Sequence, residues 1–158
     1  NIKRNKNDND TIFYSSKNLL KLINKSNYAH IAFGQITNLK KREQEFIKLS
    51  KIGFKFPKII SKFSIISKST SIGDGTIIMN GVKVNSLSKI GLNNIINTGV
   101  IIEHDVIIGN HCHIAPGAII NGGVKIGNNC FIGSGAIIKQ GSIIKNKKFI
   151  QAGKFFSS

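Results

Sequence analysis

From Ile66 to Ile150 every sixth residue is isoleucine, with Val84 the one substitution among fifteen positions. The register never slips. Six fits neither the 3.6-residue period of a helix nor the two-residue period of a plain strand. A short strand followed by a tight turn does fit. Three such units close a triangular coil of 18 residues, and stacked coils pair each strand with the one below; fifteen hexads make five coils. Each isoleucine then points to the axis, contributing roughly 1.5–3 kcal/mol of transfer free energy before entropy is subtracted. Glycine often follows it (73, 91, 109, 127, 133), and the residue four places on is small, as at Thr76, Val82, Ser88, Cys112, Ala118, Cys130 and Ala136.

The first part of the chain has a different grain. Residues 1–62 read as a partial α/β region and 63–158 as the coiled domain. Residues 1–10, NIKRNKNDND, lack apolar groups and are expected to be disordered. Residues 15–25 read as a short helix and 27–33, NYAHIAF, as a strand ending at Gly34. Residues 38–52 read as an amphipathic helix capped by Asn38, lined by Phe46, Leu49 and Ile52 or Phe54, and stopped by Gly53. FPKIIS, 56–61, is extended. Such a strand–helix–strand remnant is too small to bury a core alone.

The charge of +16 suggests nucleic acid, but only Arg4 and Arg42 among 23 basic residues are arginine, the side chain suited to bidentate phosphate and base contacts. We read the charge as a solvated lysine surface with no nucleic-acid partner; an anionic small ligand would still gain from its field. No apolar run is long enough to span a membrane, so a cytoplasmic protein is expected. The chain opens on Asn and reads as a fragment or a processed product.

IIEHDVIIGNHCHIAPGA, 101–118, holds three of the four histidines and one of the two cysteines. Alternation turns Cys112 inward and His111 and His113 outward, which denies the three a common metal. Cys130 follows Cys112 by one coil; both read as reduced core filler. His30 has no motif around it and reads as structural. The outward columns sort into three faces. One carries Ile65, Lys83, Ile101, Ile119, Ile137 and Phe155; a second Ile77, Ile95, His113, Phe131 and Phe149; the third Ser71, Lys89, Ile107, Lys125 and Ile143. Two apolar faces meeting head to tail would close a ring, and a triangular prism suggests a homotrimer. His104 borders one such face and His113 sits in the other. Gly122, one coil beyond His104, leaves room there and brings a backbone N–H close.

Residues 96–138 resemble the bacterial hexapeptide-repeat sugar acetyltransferases, of the sialic-acid O-acetyltransferase and amino-sugar N-acetyltransferase types. The resemblance is carried by Asn97-Thr98, Glu103-His104-Asp105, His113 and Gly122-Gly123, and extends more weakly from Ala29 to Phe155. It implies a left-handed parallel β-helix and transfer of an acetyl group from acetyl-CoA to a sugar hydroxyl or amine. It further implies His104 as general base, oriented by Asp105 or Glu103; His113 at the acetyl or acceptor group; Asn97 positioning substrate; and the Gly122 N–H as oxyanion donor. Gly133 and Ala152 fall where the coenzyme A arm runs. The Gly-rich G-x-x-G-H-type loop with which the family opens, and its Gly-x-Pro-Ala-type tail, have no counterpart here. Two other readings stay open: a non-catalytic β-helix used as a structural or binding module, and a zinc enzyme like the γ-class carbonic anhydrases through His104, His111 and His113.

Overall fold

The computed structural model describes residues 23, 26–34 and 40–158. The expected disorder of 1–10, most of the helix at 15–25 and the Asn38 cap lie outside these residues. From Ile59 onward the chain is a parallel β-solenoid. Seventeen two-residue strands, from β1 (Ile59–Ile60) to β17 (Phe155–Phe156), recur every six residues. Each pairs in parallel with the strand one coil away, as Ile95, His113 and Phe131 do in succession. Three sheets result. The first has six strands, from Ile59–Ile60 to Phe149–Ile150; the second six, from Ile65–Ile66 to Phe155–Phe156; the third five, from Ser71–Ile72 to Ile143–Ile144. The stack is one strand longer at each end than the unbroken isoleucine register.

The axial column is dry. Every inward residue from Ile78 to Ile144 is at most 3% exposed, whereas Ile60, on the first coil, is 45% exposed because nothing among the described strands lies below it. The small residues line the inner corners. Along one corner they also carry a ladder of hydrogen bonds. Thr76 Oγ1 donates to the Gly91 carbonyl, Asn94 Nδ2 to Gly109 and Cys112 Sγ to Gly127, while each accepts the N–H of its counterpart one coil up. Cys112 and Cys130 are therefore filler with a donor as well as a small volume, and both are free thiols.

Two further regularities shape the turns. From Gly75 to Gly153 every sixth residue has a left-handed φ, between 53° and 72°; Leu87, Asn93, Asp105, His111, Asn129 and Lys147 adopt it without being glycine. Glycines that follow the axial isoleucine are instead places of close approach. A Cβ on Gly109 would lie 2.5 Å from Asn128 Oδ1, the atom that accepts the Asn110 N–H.

Before the solenoid, helix α1 spans Lys41–Ile52 and ends at Gly53, φ 105°, as expected. Leu49 and Phe54 are buried with Ile31 and Phe56, and Phe46 and Ile52 pack against them. The expected strand at 27–33 is reduced to one parallel bridge, Tyr28 to Lys55; an isolated pair of strands gains too little to propagate. Arg42 is not a solvated cation. It is 1% exposed and donates to the carbonyls of Ile31 and Phe33, tying the helix to the segment before it. The region leans on one solenoid corner, where Phe46 meets the edge of the His111 ring and leaves no room for a side chain at Gly75.

Candidate active site

The corner between the second and third sheets carries Glu103, His104 and Asp105. Asp105 occupies the left-handed turn position, φ 59°, a conformation that Asp tolerates better than most residues. His104 Nδ1 lies 2.8 Å from Asp105 Oδ2. Against a carboxylate acceptor Nδ1 must carry the proton, which leaves Nε2 as the free lone pair of the neutral ring. Both side chains are more than half exposed. One coil up, the imidazole lies against Gly122. A Cβ built there would fall 2.7 Å from both Cε1 and Nε2 of His104. The neighbouring Gly123 N–H bonds the His104 carbonyl at 2.9 Å, while the Gly122 N–H has no acceptor among the described residues. A basic nitrogen, a carboxylate fixing its tautomer and an unspent backbone donor share one notch.

Glu103 does not touch the imidazole. Its Oε2 accepts from Asn85 Nδ2 at 2.6 Å, so Asp105 alone holds His104. Asn85 escaped the sequence reading, although its position 18 residues before Glu103 is the signal that pairs them across a coil.

The remaining candidates gather across the second sheet, at its corner with the first. The Thr98 N–H donates to Asn97 Oδ1 at 2.7 Å, which turns the Asn97 amide nitrogen toward His113 Nε2 at 3.3 Å. His113 is buried and meets Phe131 edge-on. Ile95 and Phe131 are buried with it inside the single chain, so the apolar stripe expected to be exposed on this face is covered at those three positions. Gly133 and Ala152 share the same corner. A Cβ at Gly133 would fall 2.3 Å from the Ala152 nitrogen, so coil stacking alone requires glycine there.

His111 lies on the third corner, not with His104 or His113. Its Nδ1 is 2.9 Å from Asn93 Nδ2. Burial lowers its pKa, with Arg42 adding to the effect and Glu43 opposing it. His30 is lowered likewise by burial and Arg42. The three histidines of the zinc reading thus stand on separate parts of the prism, and no group of three possible ligands occurs among the described residues. The hydrogen bond to Cys130, together with burial, pushes the Cys112 thiol well up. A shallow groove on the third sheet, lined by Lys125, Ile126, Ile143, Ile144 and Lys145 among others, holds none of the candidate residues. No described helix is long and apolar enough to cross a membrane.

Residues 114–140 match the family model of the bacterial transferase hexapeptide, six repeats. Among curated proteins, none matches the sequence. Among solved structures, the chain is 30% identical to PerB of Caulobacter crescentus in complex with CoA and GDP-perosamine, covering 90% of this chain and 69% of that one, with a TM-score of 0.85. It is 29% identical to the acetyltransferase domain of PglB from Neisseria gonorrhoeae in complex with acetyl coenzyme A, covering 87% and 67%, TM-score 0.80. It is also 29% identical to WeeI of Acinetobacter baumannii, covering 80% and 65%, TM-score 0.64.

Proposed function

We propose, from the premise that the chain belongs to the bacterial hexapeptide-repeat sugar acetyltransferases, that it moves the acetyl group of acetyl-CoA onto an amino group of a nucleotide-activated sugar. Support for the donor and the acceptor class comes from the relatives, one solved with CoA and GDP-perosamine and another with acetyl coenzyme A. The reaction belongs in the cytoplasm, where the donor is made.

The observation that carries the mechanism is the 2.8 Å contact of His104 Nδ1 with Asp105 beneath the unsubstituted Cα of Gly122. Acetyl-CoA supplies the activated acyl carbon. Asp105 keeps the proton on Nδ1, so Nε2 faces the notch as base and removes the acceptor's proton, a contribution of roughly 10²–10⁴-fold. Asp105 also stabilises the imidazolium that forms. The Gly122 N–H is the donor for the carbonyl oxygen as negative charge builds on it. Both thiols lie inside the coil, which favours direct transfer over an acyl-cysteine.

In one chain the edge with Asn97, His113, Gly133 and Ala152 lies across the second sheet from His104. That sheet shows an outward row in which Ile65, Ile137 and Phe155 are exposed and Ile101 and Ile119 half-buried. A homotrimer packed on this row would bring one copy's Asn97 edge to the next copy's His104 corner and complete the site between subunits.

The test is His104→Asn, assayed by release of free thiol from acetyl-CoA with amino-sugar nucleotides and with sialic acid as hydroxyl acceptor. The variant should fold normally and lose transfer. Full turnover without the imidazole would remove it as the base, and preferential turnover of sialic acid would replace the amine by a hydroxyl.

A further inference from the structure

Acidic side chains are scarce in the solenoid. From residue 59 to 158 there are ten lysines and three carboxylates, Asp74, Glu103 and Asp105. Two of those three bracket His104. Asp105 is spent on the His104 ring, but Glu103 is not. One of its oxygens is held by Asn85 Nδ2 at 2.6 Å, and the other has no partner among the described residues. The same edge one coil up offers Asn121, whose amide turns inward to the Ile138 carbonyl, and then Lys139. In the column of Ser67, Asn85, Glu103, Asn121 and Lys139 the one anion therefore stands on the coil that bears the base. An exposed pair of this kind adds little to stability, and a carboxylate kept half-free on a coil that carries no lysine, residues 101–118, attracts a cation from outside.

We propose that Asn85 is a positioning residue that fixes Glu103 as the receptor for the acceptor amine in its protonated form. This rests on the amino-acceptor reading above. A sugar amine is largely an ammonium ion at neutral pH, and an ammonium offers three donors to a carboxylate. Glu103 takes one N–H and holds the nitrogen beside His104 Nε2, which takes a second as a proton to give the free amine and an imidazolium. The amine nitrogen then bonds to the acyl carbon, the carbon–sulfur bond breaks, and the sulfur leaves with the electron pair. The nitrogen's surplus proton passes to that sulfur, and the imidazolium returns its proton to solvent. The sum is ammonium plus thioester giving amide, thiol and one proton. A hydroxyl acceptor carries no charge and draws nothing from Glu103 beyond a neutral hydrogen bond.

The test compares wild type, Asn85→Leu, Asn85→Gln and Glu103→Gln in the full chain, with an amino-sugar nucleotide and its counterpart bearing hydroxyl in place of the amine. Asn85→Leu and Glu103→Gln should raise the acceptor KM at least tenfold, leave the acetyl-CoA KM unchanged, and narrow the preference for amine over hydroxyl. Asn85→Gln, which keeps the donor, should recover part of the loss. An unchanged acceptor KM in both Asn85→Leu and Glu103→Gln overturns the proposal. Titration calorimetry with His104→Asn separates this failure from that of the base. That variant should still bind the amino sugar saturably, and adding Glu103→Gln should weaken the binding at least tenfold further whatever the base proves to be. If no amino-sugar nucleotide binds wild type at all, the ammonium receptor and the amino-acceptor reading both fall.

Discussion

Gly122 and His104 show how little separates a repeat position from one proposed for catalysis. Both occupy ordinary turn sites of the coil, and what distinguishes them is that one has no side chain and the other a planar ring laid in the space this leaves. Gly122 is not among the left-handed positions, so a methyl group there strains no backbone. Its nearest neighbours would be atoms of the ring, the closest at 2.7 Å. Gly122→Ala should therefore keep the melting temperature of wild type while lowering kcat about 100-fold, since displacing a reacting group by an ångström costs on that order. A coincident loss of Tm would make Gly122 a packing residue. His104 and Gly122 were legible from the sequence because an 18-residue spacing puts them on adjacent coils. The choice of Asp105 over Glu103 was not, because both flank His104 and only side-chain geometry shows that Asn85 has already engaged Glu103.

At the scale of the strand–turn unit, the two kinds of glycine make opposite demands. Gly133 follows an axial isoleucine, and its missing Cβ is the space used by the backbone of the coil above, with the Ala152 nitrogen 2.3 Å from where the atom would be. Backbone cannot move aside as a ring can. Gly133→Ala should lower Tm markedly in a thermal melt, in contrast to Gly122→Ala; an unshifted melt would mean that the stack relaxes freely at that edge. Leu87 tests the other class. It is 59% exposed and held at φ 59°, where an L-residue costs roughly 1–2 kcal/mol relative to an unstrained one. Leu87→Gly should stabilise the protein by about 1 kcal/mol in urea denaturation, and destabilisation would show that the leucine packs in solution. The isoleucine register revealed the sheets and the core because burial acts on side-chain type. The left-handed column from Gly75 to Gly153 was harder to see, since Leu87, His111 and Lys147 occupy it at a cost that composition does not display.

Across the whole molecule, one contact within the chain and one proposed between chains bear on what the solenoid carries. The first is the N-terminal region on the His111 corner. Burial lowers the pKa of both His111 and His30 from 6.5, so the folded state binds fewer protons than the unfolded one in acid. Stability from these groups is complete above 6.5 and falls as the pH drops below it toward the lowered values. His111→Asn, with a side chain that tolerates the left-handed turn, should flatten that decline in urea midpoints between pH 7 and 5, His30 accounting for the remainder; an unaltered slope would place the acid sensitivity elsewhere. The second contact is the outward row of the second sheet. Of the two faces expected to be exposed and apolar, the one with His113 is covered at Ile95, His113 and Phe131 within the chain, which leaves the row of Ile101, Ile119 and Ile137 as the surface the proposed trimer would use. Lys83 stands in that same column, so the coil accepts an outward lysine there without rearrangement. Ile119→Lys therefore tests the assembly and spares the fold. Light scattering should give about three chain masses for wild type and one, near 17.3 kDa, for the variant, with an unchanged circular dichroism spectrum. If the site closes only where the Asn97 edge of one copy meets the His104 corner of the next, the monomer should lose acetyl transfer although every residue named for the chemistry is present. A fully active monomer would assign catalysis to the His104 corner alone and leave the Asn97 edge to packing.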